Sequence, residues 1–206
     1  MTPKQLCAWC CITVILIACM FMHFGLRWGL PVGTDVAAQI QFIASNEGVW
    51  KLGWFFWNLA ALSLLCFCAL LYHKSNRTIP PTIGLFCVGL GVLPDLYAEY
   101  LLSFGLSDLA RAALTEKFVA LQSLGMQLTG VYANGLYNTG GLILTISLLA
   151  HSKLSHVVAG IGIVSWLLGL SLSFFTWVGN FQASELATAL SMSLNLLFMA
   201  LVARKL

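Results

Sequence analysis

Charge is what this sequence has least of. Only 8% of its 206 residues are Asp, Glu, Lys or Arg, against 60% hydrophobic, and its mean hydropathy is +0.91. That balance leaves too little polar surface to coat a water-soluble globule of this size. The basic residues are scattered through short stretches, with no basic cluster or stripe, which excludes a nucleic-acid-binding surface. Catalytic signatures are missing as well. There is no Ser-His-Asp order, no HExxH, no Walker loop and no dinucleotide fingerprint, and nothing names a cofactor. The Gly89-Leu90-Gly91 triplet lies inside an apolar run, where glycine serves helix packing. The histidines do not pair across helices as haem ligands would. His23 falls near one membrane face, and His73, His151 and His156 sit beside Lys74 and Lys153 as interfacial anchors.

What is present is a set of long apolar runs. Six are close to the ~20 residues that a bilayer requires, at about 6 to 25, 51 to 72, 82 to 104, 127 to 150, 156 to 178 and 185 to 203. We therefore expect an all-α integral membrane bundle of six transmembrane helices in a single domain, residues 1 to 206. The first run follows MTPKQ without a convincing small-residue cleavage site and is read as a retained helix. Two outer amphipathic helices complete the layout. One follows Thr34, a plausible cap, with Val36, Ile40 and Ile43 at helical spacing and Gly48 as its end; the other covers about 107 to 124, with a bend near Gly125. The result is three consecutive hairpins, although their residues do not align well enough to support an internal duplication.

With the amino terminus inside, Lys4, Lys74, Arg77, Lys153, Arg204 and Lys205 lie on the inner side, and Arg27, Lys51, Arg111 and Lys117 on the outer side. This positive-inside bias orients both termini to the cytoplasm. Every acidic residue falls in the outer half. Two of them, Asp95 and Glu99, lie within the apolar run from Gly84 to Phe104, just after Pro94. An ionised carboxylate near a bilayer's middle costs ~2.5 to 3.5 kcal/mol on the lenient insertion scale. Four residues apart, the two carboxyls share one helix face with Val88 and Gly91, and their mutual repulsion favours a shared proton or a bound cation. The 1.5 Å rise per residue puts Asp95 roughly 13 Å and Asn58 roughly 10 Å below the outer helix ends. Asn138 falls in the same layer, with Asn134 one turn higher. Gln127, Asn134, Asn138, Gly141 and Thr145 make one stripe, and Trp54, Asn58, Ala61 and Leu65 another. The expected ligand site is thus Asp95, Glu99, Asn58, Asn134, Asn138 and Trp54, and amides in such stripes also serve as packing glue.

Cysteines form a second group. Cys7, Cys10, Cys11, Cys66, Cys68 and Cys87 map to the inner ends of the first three helices, with Cys19 alone near the middle. Cys7, Cys10 and Cys11 contain a CxxC spacing and are the candidate soft-metal ligands. Such a pair in a first membrane helix resembles the mercuric-ion transporters, whose companion cysteine motifs are not recognisable here.

The tryptophan and asparagine pattern at Trp54 to Leu65, Pro94-Asp95 with Glu99, and the run GLYNTGGLILTISLL resemble uncharacterised bacterial multi-pass membrane proteins known only as domains of unknown function. That likeness implies the fold and a bacterial inner-membrane setting, and no substrate. The leading expectation is a binding or transport protein for a small cation or polar solute with an outward-facing pocket around Asp95. The alternative is a non-catalytic membrane subunit, sensor or immunity-type protein working through a membrane protein partner or a homo-oligomer; a soft-metal transporter or membrane enzyme is third. The orientation is directly testable. A Cys placed at Asn46 should react with a membrane-impermeant thiol reagent from outside, and one placed at Ser152 only after permeabilisation.

Overall fold

The computed structural model describes residues 1–33 and 35–206. Helix α1 (Pro3–Phe21) starts in a capping box: the Thr2 hydroxyl accepts from the Gln5 backbone, and the Gln5 side chain accepts from the Thr2 backbone. Pro3 occupies a first-turn position where no N–H is needed. The helix continues through a π turn, Met22–Leu26, and a 3-10 turn, Arg27–Gly29. Helix α2 (Val36–Ser45) is capped by Asp35, whose side chain accepts from Ala38. Thr34, the cap expected from sequence, lies outside the described residues. Gly48 does not end this helix. It lies in the first turn of α3 (Glu47–Lys74), which follows α2 after Asn46 alone.

Helix α4 (Ile79–Tyr100) passes unbroken through Pro94, then through a π turn, Leu101–Gly105, into α5 (Leu106–Arg111). The chain reverses at Ala112 to Leu114, not near Gly125. Ala113 takes a φ of 52°, and the Leu114 amide reaches back to the Leu109 carbonyl, a helix-ending geometry that usually marks itself with glycine. Gly125 lies instead within α6 (Thr115–Met126), where the Leu102 side chain leaves no room for a Cβ. A π segment, Gln127–Ala133, leads into α7 (Asn134–Ala150), followed by α8 (His156–Trp177) and α9 (Phe181–Ala203).

Five helical stretches are long and apolar enough to cross a membrane: Pro3–Gly29, Glu47–Lys74, Ile79–Arg111, His156–Trp177 and Phe181–Ala203. The chain is built as a multi-pass membrane protein. The expected fourth span, 127 to 150, does not join that set: the helix runs on unbroken from Thr115 to Ala150, but this part of it carries Gln127, Asn134, Asn138, Thr139 and Thr145, which lower its hydropathy. It is nevertheless packed between α4 and α8, and with α3 against α1 and α4, and α9 against α8 and α1, the six long helices close a ring in chain order. α2, α5 and α6 pack together over one end of it, where Leu26, Ile43, Trp50, Trp54, Leu102, Leu106 and Phe118 form a compact apolar core.

Small residues let the polar helix into the ring. At the α4 and α7 crossing, Gly84 and Gly140 each face the other's carbonyl oxygen, so a Cβ on either would meet backbone that cannot move aside. Two reciprocal bonds, Ser165 hydroxyl to Ser191 carbonyl at 2.9 Å and Ser191 hydroxyl to Ser165 carbonyl at 3.0 Å, stitch α8 to α9. The crossing predicts a contrast that thermal unfolding in detergent will read. Gly140→Ala should destabilise the protein by roughly 1 to 3 kcal/mol through overpacking. Gly89→Ala, which adds a methyl where nothing lies within 4 Å, should be neutral or slightly stabilising.

Candidate functional site

The site begins with the buried face of α4: Val88, Gly91, Val92, Asp95, Ala98 and Glu99 all point into the ring. Asp95 is 3% exposed and Glu99 0%. The helix continues past Glu99 through the π turn after Tyr100 into α5, so Glu99 does not lie at the end of the fold. Both oxygens of Asp95 are satisfied by hydroxyl donors, Oδ1 by Thr129 at 2.5 Å and Oδ2 by Tyr137 at 3.0 Å. Glu99 has neither oxygen hydrogen-bonded. Among the described residues no cation pairs with either carboxyl. Arg27 pairs with Glu185, Lys51 with Glu47, and Arg111 with Glu47 and Asp108. Lys117 is exposed.

Neither Thr129 nor Tyr137 was singled out from sequence. Thr129 sits in the π segment Gln127–Ala133, whose wider turn shifts the helix face. A uniform 3.6-residue period places Gln127 on the inner stripe, whereas the structure exposes Gln127 and buries Thr129 and Gly130. Tyr137 reaches Asp95 because Gly91, one turn earlier on α4, leaves its ring space that a Cβ would fill at 2.9 Å. Gly91 four residues before Asp95 was the available signal.

A cavity of about 400 Å³ is lined by residues of α1, α3, the π segment, α7, α8 and α9, and touches the acid pair only through Thr129, the hydroxyl donor to Asp95. Its wall is mainly apolar, with Leu16, Trp54, Trp57, Leu172, Met192 and Leu196 among its residues, and Thr129 and Asn134 supply polar groups on its α7 side. From Leu196 to Glu185 on α9 it extends roughly 16 Å along the helix axis. Its upper end reaches the surface at the Arg27 and Glu185 ion pair, 2.6 Å, whose side chains are 41% and 36% exposed and which ties the end of α1 to the start of α9. A smaller void of about 50 Å³ adjoins it, sharing Trp57, Asn134 and Met192 and lined also by Asp95, Tyr137, Asn138 and Asn195.

The six expected site residues separate into groups. Asp95, Asn134 and Asn138 meet around the smaller void, Trp54 lines the larger cavity, and Glu99 is buried but lines neither. Asn134 donates to the Thr129 carbonyl at 2.8 Å, and Asn138 to the Asn134 carbonyl at 2.6 Å while packing on Gly169 of α8. Asn58 does not join them. Its side chain donates to the Trp54 carbonyl of its own helix, and it lines neither space. The cysteine triplet is also rearranged: Cys10 is exposed, and Cys7 and Cys11 face Cys66 of α3.

Among the described residues, the buried side-chain N and O atoms without a hydrogen-bond partner are Trp54 Nε1, both Glu99 oxygens and Asn195 Oδ1. Trp54 lines the larger cavity and Asn195 the smaller void, while Glu99 lines neither. The backbone register relates Trp54 to Glu99, since Trp50 Nε1 donates to the Leu102 carbonyl at 2.7 Å and Trp54 and Glu99 each lie about one turn inward from that bond. Native interiors leave few such groups unpaired.

The absence of a paired cation predicts that Asp95→Asn folds within roughly 1 kcal/mol of wild type, because an amide still accepts one hydroxyl and removes a costly charge. Tyr137→Phe should cost about 1 kcal/mol. Thermal unfolding decides: a loss of ~3 to 5 kcal/mol in Asp95→Asn would mean that the carboxylate is one half of a structural ion pair.

No protein-family model, no curated protein and no solved structure matches the chain, so its function is read from its own residues.

Proposed function

We propose that this chain is a membrane binding or transport protein in which the Asp95 and Glu99 pair exchanges a proton for a cationic solute. The observation that carries the reading is a buried acid pair with no paired cation among the described residues, whose Asp95 lines a small void that adjoins a surface-reaching cavity. A buried charge of this kind in a membrane bundle marks a pathway or pocket. The wall of the larger cavity narrows the solute class: most of its surface is apolar, so an organic cation would bury an apolar body against Leu16, Leu172 and Leu196, with Thr129, Asn134, Thr176, Ser184, Thr188 and Ser193 as neutral polar contacts. Trp54 and Trp57 present indole rings on the same wall, surfaces that attract cations.

In this proposal Gln127–Ala150 is a sixth crossing whose polarity faces the ring interior, and the basic ends define the cytoplasmic side. Lys74 donates to the Lys205 carbonyl at 3.0 Å, so the first and third hairpins bring their basic ends to one face. A bacterial inner membrane with both termini inside fits that arrangement.

The other titratable groups are His23, Arg27 and Glu185 at the cavity's mouth, Cys19 along its wall, and Tyr137 on the adjoining void. Since proton and cation compete for the acid pair, binding should strengthen as pH rises. Tetraphenylphosphonium serves as the probe, with tryptophan fluorescence as the readout. Wild type should bind it more tightly at alkaline than at acidic pH, Asp95→Asn should lose at least about tenfold in affinity, worth ~1.4 kcal/mol, and Arg27→Gln should keep the pH dependence. Binding that is equally tight in Asp95→Asn would remove the acid pair from the site.

A further inference from the structure

At the opposite end of the bundle the structure gathers three thiols that the cation site does not use. Cys7 and Cys11 lie one turn apart on α1, and Cys66 faces them from α3. The Cys7 and Cys66 sulfurs are 3.5 Å apart, and the three sulfurs lie within 4.8 Å of one another. Sulfurs at 2.3 Å from a shared ion are separated by about 4 Å. The trio therefore closes around one ion with shifts of a few tenths of an ångström. Cys11 is buried, Cys7 half-buried and Cys66 exposed, so the cluster has a fixed base and an open side for entry.

We propose that Cys7, Cys11 and Cys66 form a binding site for a soft, thiophilic monovalent ion, copper(I) being the biological candidate. All three donors are sulfur, the ligand type that selects Cu(I), Zn and iron–sulfur centres. No fourth Cys, His, Asp or Glu belongs to the cluster among the described residues, and a structural zinc site is four-coordinate, whereas three sulfurs complete a trigonal site for a monovalent soft ion. Binding requires ionised sulfur, so the thiol protons pass to solvent as the ion enters. Lys4 lies one turn before Cys7, and the inner end of the bundle also gathers Lys74, Lys153 and Lys205, which offset the negative charge of the thiolates. The spacing visible in sequence, Cys7 to Cys10, is not the one the fold uses. Helical geometry puts residues four apart on one face, and Cys10 is turned outward and exposed.

The test uses full-length protein, reduced and metal-free in detergent micelles, titrated with Cu(I) against a Cu(I)-specific chelator. Wild type should hold one equivalent under competition. Alkylation mapped by mass spectrometry should show Cys7, Cys11 and Cys66 protected by the ion and Cys10 as reactive as before. Cys66→Ser should lose the bound equivalent, and Cys10→Ser should keep it. The proposal is overturned if wild type holds no copper, if Cys10→Ser loses it as Cys66→Ser does, or if Zn(II) is retained at chelator strengths that strip Cu(I). The protection pattern in wild type needs no variant to fold, and Asp95→Asn should leave it unchanged, which separates this site from the cation cavity.

Discussion

The constraint that organises this bundle is the cost of holding two carboxyl groups in a low-dielectric interior. Ionised, each would be expensive without a partner; the bundle supplies hydroxyls to Asp95 in place of a cation and leaves both Glu99 oxygens without a hydrogen bond. Thr129 and Tyr137 come from the helix that is too polar to qualify as a lipid-crossing segment on hydropathy. The acid pair and the polarity of α7 are complementary. Without Asp95 the inner face of α7 would have little to bind, and without α7 the face of α4 would be exposed to apolar neighbours alone. The small residues follow from this pairing, because Gly84 and Gly140 permit the approach and Gly91 makes space for the Tyr137 ring.

The outer end has a different task. α2, α5 and α6 add a second apolar core around Trp50 and Trp54, and Gln122 of α6 donates to both Gln39 of α2 and the Gly29 carbonyl at the end of α1. On the other side of the ring, where α1 meets α9, the cavity reaches the surface beside the Arg27 and Glu185 pair, which is half-exposed and worth little in stability.

Much of this was legible in the sequence, and the failures have physical causes. The helical class, five of the expected membrane-crossing segments and the inward face of Val88, Gly91, Asp95 and Glu99 all follow from hydropathy and the 3.6-residue period. The period failed where the helix itself changes: the π segment at Gln127–Ala133 displaced Gln127 and brought in Thr129. The reversal at Ala112 to Leu114 carries no glycine or proline, so Gly125 drew the bend to the wrong place. Asn58 was assigned by depth and by its stripe with Trp54, Ala61 and Leu65, and neither says whether an amide will turn back to its own helix, as Asn58 does to Trp54. For the cysteines, sequence adjacency offered Cys10, whereas the contact between α1 and α3 supplied Cys66.

The central claim is that proton and cation exchange at Asp95 and Glu99, and the most direct measurement is proton release on binding. Purified protein in weakly buffered detergent near neutral pH is mixed with tetraphenylphosphonium, and the change in free proton concentration is recorded against bound ligand. The account predicts release of about one proton per bound cation in wild type and none in Asp95→Asn. Saturable binding by wild type with no proton released would contradict it.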